Sequence, residues 1–200
     1  MIVPAPLLEN IKNVFVLLRW ATFFTCFGFL GWPSTSAAAD PNKAEKPDFS
    51  GNWTLDLQAS SSLEPLMKRI EASPVDLKYA SSTTLKATLH QTQDVLTVAT
   101  RGPAFALDQT LYLDGRSDPA GLQLLGATSI NTTAAWSKDY KELIETHQIK
   151  TKQGKEGQLT IKRYLANGGA SLIVVFMLKL KAESDQVSAR QIWHKQPAAL

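Results

Sequence analysis

The sequence predicts an all-β protein, an antiparallel up-and-down β-barrel of about 8–10 strands with a short helical insert after the first strand. Beyond residue 82, apolar and polar residues alternate with a period of two, which is typical of half-buried strands. Short polar turns rather than helices separate these segments, which indicates an antiparallel meander. A barrel is favoured because closure removes the free edges of a long meander, and a β-sandwich is the alternative.

The first strand is predicted around Gly51, where Trp53, Leu55 and Leu57 alternate with polar residues. A glycine at the start of a strand allows a sharp bend or the close approach of another backbone segment. The large indole of Trp53 can then plug one end of a barrel. An ordinary first strand with one core tryptophan explains the same residues equally well.

The helical insert is predicted at residues 63–71. Four apolar residues repeat there at the spacing of one helix face: Leu63, Leu66, Met67 and Ile70. Pro65 is tolerated only in a first turn, which places the start near Ser62, and Pro74 either ends the helix or begins a second short turn. The insert is expected either to act as a lid on the barrel or to pack over its core.

The remaining strands are predicted at residues 85–90, 95–100, 105–113, 128–136, 140–150, 159–165, 172–180 and 187–194. Within residues 128–136, Ile130 and Trp136 are expected to share one face. With the first strand this makes about nine strands and no sign of a second core. The predicted organisation is therefore a flexible leader at residues 40–47, one barrel domain at residues 48–196 and a short tail at residues 197–200.

Residues 1–39 have the pattern of a secretory signal peptide, which would form a helix ahead of the barrel. Lys12 and Arg19 precede an apolar run that ends at Trp32, and residues 37–39 form an A-x-A cleavage site. Cleavage after Ala39 would export the chain to the periplasm or the medium. The alternative is a membrane anchor formed by residues 14–32, although a central charge such as Arg19 costs roughly 2.5–3.5 kcal/mol on insertion.

The composition narrows the class of protein. Cys26 is the single cysteine and lies in the predicted signal peptide, so the mature chain has no disulfide. Removing residues 1–39 from the 200 leaves 161, enough for one core, and takes away Lys12, Arg19 and Glu9. The remaining 19 basic and 17 acidic residues give a nearly neutral chain without the basic stripe of a nucleic-acid binder. We expect a monomer that binds a small hydrophobic ligand and meets a membrane only through an uncleaved N-terminal segment.

Few residues suggest catalysis or metal binding. The sequence contains no nucleophile elbow, phosphate-binding loop or dinucleotide fingerprint. The three histidines, His90, His147 and His194, lie on separate predicted strands and are expected to be exposed rather than metal ligands. The carboxylates Asp108, Glu142 and Glu145 are expected on solvated strand faces. We therefore predict a protein without enzymatic activity, cofactor or metal, and an isomerase or hydrolase is a weaker alternative.

The candidate ligand-binding residues are polar or aromatic side chains on apolar strand faces. Arg163, Gln191 and Gln109 each interrupt such a face, and Trp53 and Trp193 complete the candidate set. A buried arginine requires a carboxylate, ordered water or an anionic ligand, unless it lies near a strand end and reaches solvent. An apolar pocket with a few fixed polar groups is the usual form of a small-molecule site.

The two ends of the predicted barrel carry a family resemblance. The opening Phe49-Ser50-Gly51-Asn52-Trp53 and the closing Ala189-Arg190-Gln191-Ile192-Trp193-His194-Lys195 resemble the F-x-G-x-W start and R-x-Y-x-K end of calycin barrels. Within these, the chain is most similar to the intracellular fatty-acid-binding proteins and their exported bacterial lipocalin-like relatives. The resemblance implies a barrel around a lipid-sized cavity that holds a fatty-acid or lipid-like molecule.

This chain departs from the family at the ligand clamp. The resemblance implies that an inward Arg and Tyr grip a ligand carboxylate, but Gln191 and Trp193 stand at those positions. Either Arg163 replaces the missing arginine or the ligand is uncharged. The lipocalin pattern further implies that Arg190 packs across Trp53. The expected function is an exported, non-enzymatic carrier, and the alternative is an envelope scaffold whose barrel is filled by its own side chains.

Overall fold

The computed structural model describes residues 45–103, 105–118, 123–124 and 126–197. The predicted signal peptide, most of the predicted leader and residues 198–200 of the tail lie outside these described residues. None of the described helices is long and apolar enough to cross a membrane.

The described residues form ten antiparallel strands and two α-helices. The strands are β1 (Gly51–Asp56), β2 (Lys86–Gln91), β3 (Val95–Gly102), β4 (Phe105–Tyr112), β5 (Gln123–Leu124), β6 (Ala127–Trp136), β7 (Leu143–Thr151), β8 (Glu156–Ala166), β9 (Ser171–Leu180) and β10 (Val187–Lys195). The helices α1 (Glu64–Arg69) and α2 (Pro74–Ser82) follow β1, and a 3₁₀ turn at Asn167–Gly169 joins β8 to β9. Because β5 has only two residues, the sheet consists of nine long strands, as predicted.

The strands form a nearly closed barrel. Their hydrogen-bonded order is β4-β3-β2-β1-β10-β9-β8-β7-β6-β5, and β1 pairs with both β2 and β10, so the first and last strands of the chain meet. The ladder is interrupted beyond β4, where isolated bridges from Asp114 to Ala135 and from Asp118 to Thr132 connect to β6. The barrel prediction is therefore confirmed, and the sandwich alternative is wrong.

Aromatic side chains pack at the barrel end where β1 begins. Trp53 is buried, and its indole N–H donates to the carbonyl oxygen of Phe49 at 3.0 Å. The ring of Phe49 in turn stacks on Trp136 with 5.7 Å between centroids. Gly51 has a φ of +138° there, a backbone conformation that favours glycine over residues with a Cβ atom.

The cation over Trp53 is not the expected one. The ammonium of Lys195 lies 5.4 Å from the centre of the Trp53 ring, and Lys195 is also the cross-strand partner of Trp53. Arg190 is exposed, pairs with Val175, and its backbone N–H donates to the hydroxyl of Ser61. The expectation that Arg190 packs across Trp53 is therefore wrong, because Arg190 lies five positions before Lys195, the residue of β10 that covers the indole.

The helical insert lies over the other barrel end, formed by the turns that follow β5, β7 and β9. Helix α1 buries Leu66 and Met67, as its apolar spacing predicts, and Pro74 begins a second helix rather than only ending the first. The backbone of Gly126 approaches so closely that a Cβ there would lie 2.3 Å from the carbonyl oxygen of Ile70. The guanidinium of Arg69 binds both Glu183 and Asp185 in the turn after β9.

One strand face was predicted wrongly. In β6, Ala127 and Ser129 are buried and so are Thr132 and Ala134, but Ile130 is 51% exposed. The register with β7 shifts between Ser129 and Asn131, which is a β-bulge with Ile130 as the extra residue. Because the bulge reverses the alternation, Ile130 points outward although it has the same parity as Trp136.

Loss of the Arg69 ion pairs should loosen helix α1. In Arg69→Ala, we expect faster hydrogen exchange at the α1 amides with unchanged exchange in β7–β9, since the bonds to Glu183 and Asp185 join α1 to the turn after β9. The control is Arg101→Ala, which removes an exposed pair with Asp108 within the β3–β4 hairpin. Equal α1 exchange rates in both variants, measured by mass spectrometry, would contradict this role.

Candidate functional site

Six polar side chains form a connected group inside the barrel, which we call the interior polar cluster. Its members come from four strands: Gln109 of β4, Ser129 and Thr132 of β6, Glu145 and His147 of β7, and Arg163 of β8. All are buried except Gln109, which is half-buried. The cluster therefore lies beside the interrupted part of the ladder and is surrounded by the apolar core.

The alternation of β7 explains why two ionisable residues face inward. Leu143, Glu145, His147, Ile149 and Thr151 are every second residue of the strand, and all five are buried. Leu143 and Ile149 must face the core, so the residues between them with the same parity face it as well. The expectations of a solvated Glu145 and an exposed His147 were therefore wrong, and the period-two pattern of residues 140–150 contained the signal that could have corrected them.

Glu145 is the centre of the cluster. Its carboxylate accepts hydrogen bonds from Arg163, from the amide of Gln109 and from the Nε2 of His147. Complete burial would raise the pKa of Glu145, but the Arg163 guanidinium and His147 outweigh burial and lower that pKa to about 2. Glu145 is therefore a buried anion at neutral pH, and Arg163 is its counter-ion.

His147 connects the carboxylate to two hydroxyl groups. With Nε2–H donated to Glu145, Nδ1 is left with one lone pair as an acceptor, and Ser129 Oγ at 3.0 Å and Thr132 Oγ1 at 2.9 Å both lie within hydrogen-bond distance of it. The β6 bulge makes this possible, because only the shifted register turns both Ser129 and Thr132 inward. The result is a chain of hydroxyl, imidazole and carboxylate groups.

The five predicted ligand-binding residues lie in three different parts of the barrel. Arg163 and Gln109 meet at Glu145, so the partner of Arg163 is a carboxylate of this chain rather than solvent at a strand end. On β10, the indole N–H of Trp193 donates to Gln191 Oε1 at 3.3 Å, and both residues are buried. Trp53 lies at the barrel end with the aromatic group described above. Ligand contact by any of the five stays a prediction.

Arg163 of β8 and Gln191 of β10 nevertheless lie in the same region of the barrel wall. Arg163 and Gln191 both pair with Val174 of β9, one from each side. Their backbones are therefore two strand spacings apart, about 10 Å, with both side chains on the interior face. Their side chains therefore extend from the barrel wall on either side of Val174.

The other histidines lie outside this region. His90 and His194 are exposed, and His194 Nε2 lies 3.1 Å from a carboxylate oxygen of Asp56. Within the described residues, no group of three or more histidine, cysteine, aspartate or glutamate side chains could hold a metal ion.

The comparisons with known proteins agree with this architecture. No family model matches the sequence, and no curated protein matches it. The structure is similar to a REP1-NXSQ fatty acid transporter, with a TM-score of 0.57 and 18% identity over 76% of this chain and 98% of that chain. It is also similar to a Schistosoma mansoni fatty acid binding protein in complex with arachidonic acid, with a TM-score of 0.57 and 15% identity over 74% of this chain and 96% of that one.

A third similar structure is apo lipid binding protein 8 of Caenorhabditis elegans, with a TM-score of 0.54 and 16% identity over 74% of this chain and 95% of that chain. In each case nearly the whole neighbour is covered. At these identities the likeness is one of fold: this chain forms the same kind of barrel as these fatty-acid- and lipid-binding proteins, in agreement with the resemblance of its two end motifs.

The low pKa of Glu145 predicts a specific acid sensitivity. Because the folded pKa of about 2 lies below the ordinary 4.5, ionised Glu145 stabilises the fold fully above about pH 4.5, and this contribution is lost as the pH falls towards 2. We expect the free energy of unfolding by urea to fall more steeply over this interval in the wild type than in Glu145→Gln. The control is Glu142→Gln, because Glu142 pairs with Lys162 outside the cluster. Its free energy of unfolding should fall with pH as steeply as that of the wild type. Parallel curves for wild type and Glu145→Gln would contradict the assignment.

Proposed function

We propose that this protein is an exported, monomeric, non-enzymatic carrier of one small hydrophobic or amphipathic molecule inside its barrel. The observation that supports this most strongly is the combination of the calycin fold with an apolar interior that contains one polar cluster. Binding sites for small molecules commonly combine an apolar wall with a few placed polar groups.

The apolar interior favours an acyl or similarly extended chain. Side chains such as Leu96, Leu111, Leu159 and Leu178 belong to one buried cluster on the interior strand faces. Burial of each methylene of a ligand contributes about 0.8 kcal/mol, so a long chain supplies affinity without many polar contacts. The similar structures are described as a fatty acid transporter and as fatty-acid- or lipid-binding proteins, which supports the same class of ligand for this chain.

The proposed export rests on the sequence of residues 1–39. A basic flank, an apolar run and the A-x-A site before Asp40 are the elements of a cleavable signal peptide. The mature chain would contain no cysteine, so its stability would not depend on the redox state of the compartment. A carrier of this kind would move a poorly soluble molecule through the periplasm or the medium.

A chain-length series tests the carrier. With the protein purified from its own host in the form that the cell produces, we expect one-to-one binding whose affinity rises about fourfold for each added methylene until the chain fills the barrel. The measurement is displacement of the neutral probe N-phenyl-1-naphthylamine by linear alcohols of increasing length, with tryptophan quenching as a second signal. Affinities that do not depend on length, or no binding above a non-specific control, would instead support the scaffold barrel filled by its own side chains.

One observation favours a second candidate function, ester hydrolysis. The hydrogen bonds join Ser129 to His147 and His147 to Glu145. Acyl-transfer enzymes join a nucleophile, a general base and an orienting carboxylate in the same order. Ser129 Oγ would attack the carbonyl carbon of a bound ester, and His147 would take its proton and return it to the departing alcohol. Water would then release the acid from Ser129. The carrier is preferred because Thr132 shares the same His147 nitrogen and all three catalytic candidates are fully buried.

Covalent labelling separates the two candidate functions. For a carrier, we expect no reaction of Ser129 with a fluorophosphonate probe and no hydrolysis of p-nitrophenyl esters above the rate with heat-denatured protein. Thr132→Ala is the matched variant for Ser129→Ala, since both remove one hydroxyl bonded to His147. Labelling that Ser129→Ala abolishes and Thr132→Ala retains would establish the enzyme.

A further inference from the structure

We propose that the interior of this barrel selects ligands whose head group is uncharged and carries an oxygen acceptor, such as a long-chain alcohol or ester, rather than a free fatty acid. This inference rests on the proposed carrier function and names its ligand class. Its basis is that the carboxylate of Glu145 already forms an ion pair with Arg163. A ligand carboxylate would have to form the same ion pair.

Inside the barrel, the charge of Arg163 is paired with that of Glu145. Among the described residues, the buried ionisable side chains are Glu145, His147 and Arg163. Arg163 Nη1 donates to Glu145 Oε2, while Gln109 and His147 donate to Oε1 of the same carboxylate. The guanidinium of Arg163 and the carboxylate of Glu145 form one buried ion pair, so this cation already has an anionic partner within the chain.

The hydrogen-bonding capacity that remains on Arg163 is that of a donor. An arginine carries five N–H donors, and the structure shows one of those of Arg163 bonded, to Glu145. Gln191 is only 5% exposed and its oxygen accepts from Trp193, but its side-chain NH₂ has no partner among the described residues. Both oxygens of Glu145 are already occupied, so a ligand would meet N–H groups and would need to supply a lone pair.

A charged head group would be mismatched at this position. A ligand carboxylate beside Arg163 would place a second anion near Glu145, and an ammonium would lie beside Arg163 itself. Both repulsions are strong where burial excludes water. An alcohol, ester or carbonyl oxygen avoids them, and over Val174 it can reach the donors of Arg163 and Gln191 from one position.

Four ligands with the same chain length test the selection. Hexadecanol, methyl palmitate, palmitate and hexadecylamine would compete with N-phenyl-1-naphthylamine for the full chain at about pH 7.5, where palmitate and the amine are charged. We expect the alcohol and the ester to bind at least about tenfold more tightly than palmitate or the amine. Binding of palmitate as tight as that of the alcohol, or tighter, would overturn the inference and leave the carrier intact. Failure of all four to bind would defeat the proposed carrier function itself.

A single substitution should reverse the preference. Glu145→Gln keeps the shape of the side chain and removes the internal anion, so Arg163 would become available to a carboxylate. We expect the affinity for palmitate to rise about tenfold or more, with little change for hexadecanol. Glu142→Gln should leave all four affinities at the wild-type values. An unchanged palmitate affinity in folded Glu145→Gln would overturn the inference, and if that variant does not fold, the four-ligand comparison with the wild type decides it.

Discussion

The ion pair between Glu145 and Arg163 is the constraint around which the barrel interior is organised. Each group is almost completely removed from water, and a buried charge without its partner is strongly destabilising. The pair therefore requires β7 and β8 to keep their register and the amide of Gln109 to reach across from β4. It also fixes the orientation of His147, whose second nitrogen then positions Ser129 and Thr132. The other five side chains of the cluster, on four strands, depend in this way on the carboxylate of Glu145.

The same pair is the basis of the ligand preference that we propose. In a barrel whose inward arginine lacks an internal counter-ion, a ligand carboxylate can supply the missing charge. Here the chain supplies that charge itself, and Gln191 and Trp193, at the clamp positions that the family resemblance defines, bond to each other. The fold is thus shared with fatty-acid-binding proteins, while the electrostatics of the interior differ from a carboxylate clamp. A shared fold is compatible with the head-group preference that we propose, because ligand choice in such barrels depends on a few interior side chains rather than on the barrel itself.

Most of the fold could be predicted because it depends on short-range patterns. Alternation located all nine long strands, and the spacing of Leu63, Leu66, Met67 and Ile70 located helix α1. The two-residue β5 was missed, since so short a strand has no pattern. In the candidate site, alternation placed Arg163 and Gln191 inside correctly. Glu145 and His147 were misplaced because polar residues on a strand were judged by their chemistry, although Leu143 and Ile149 already fixed the orientation of the strand.

By itself, the sequence determined the class of fold, the succession of strands and the signal-peptide pattern of residues 1–39, since these follow from local alternation, turn residues and composition. Only the tertiary structure decided which groups meet. The bulge at Ile130 turns Ser129 and Thr132 towards His147, and the register of β7 with β8 brings Glu145 to Arg163. Both depend on backbone pairing between segments that are distant along the chain, and a shift of one residue would turn these side chains outward. Pairing of this kind cannot be predicted from the sequence of either segment alone.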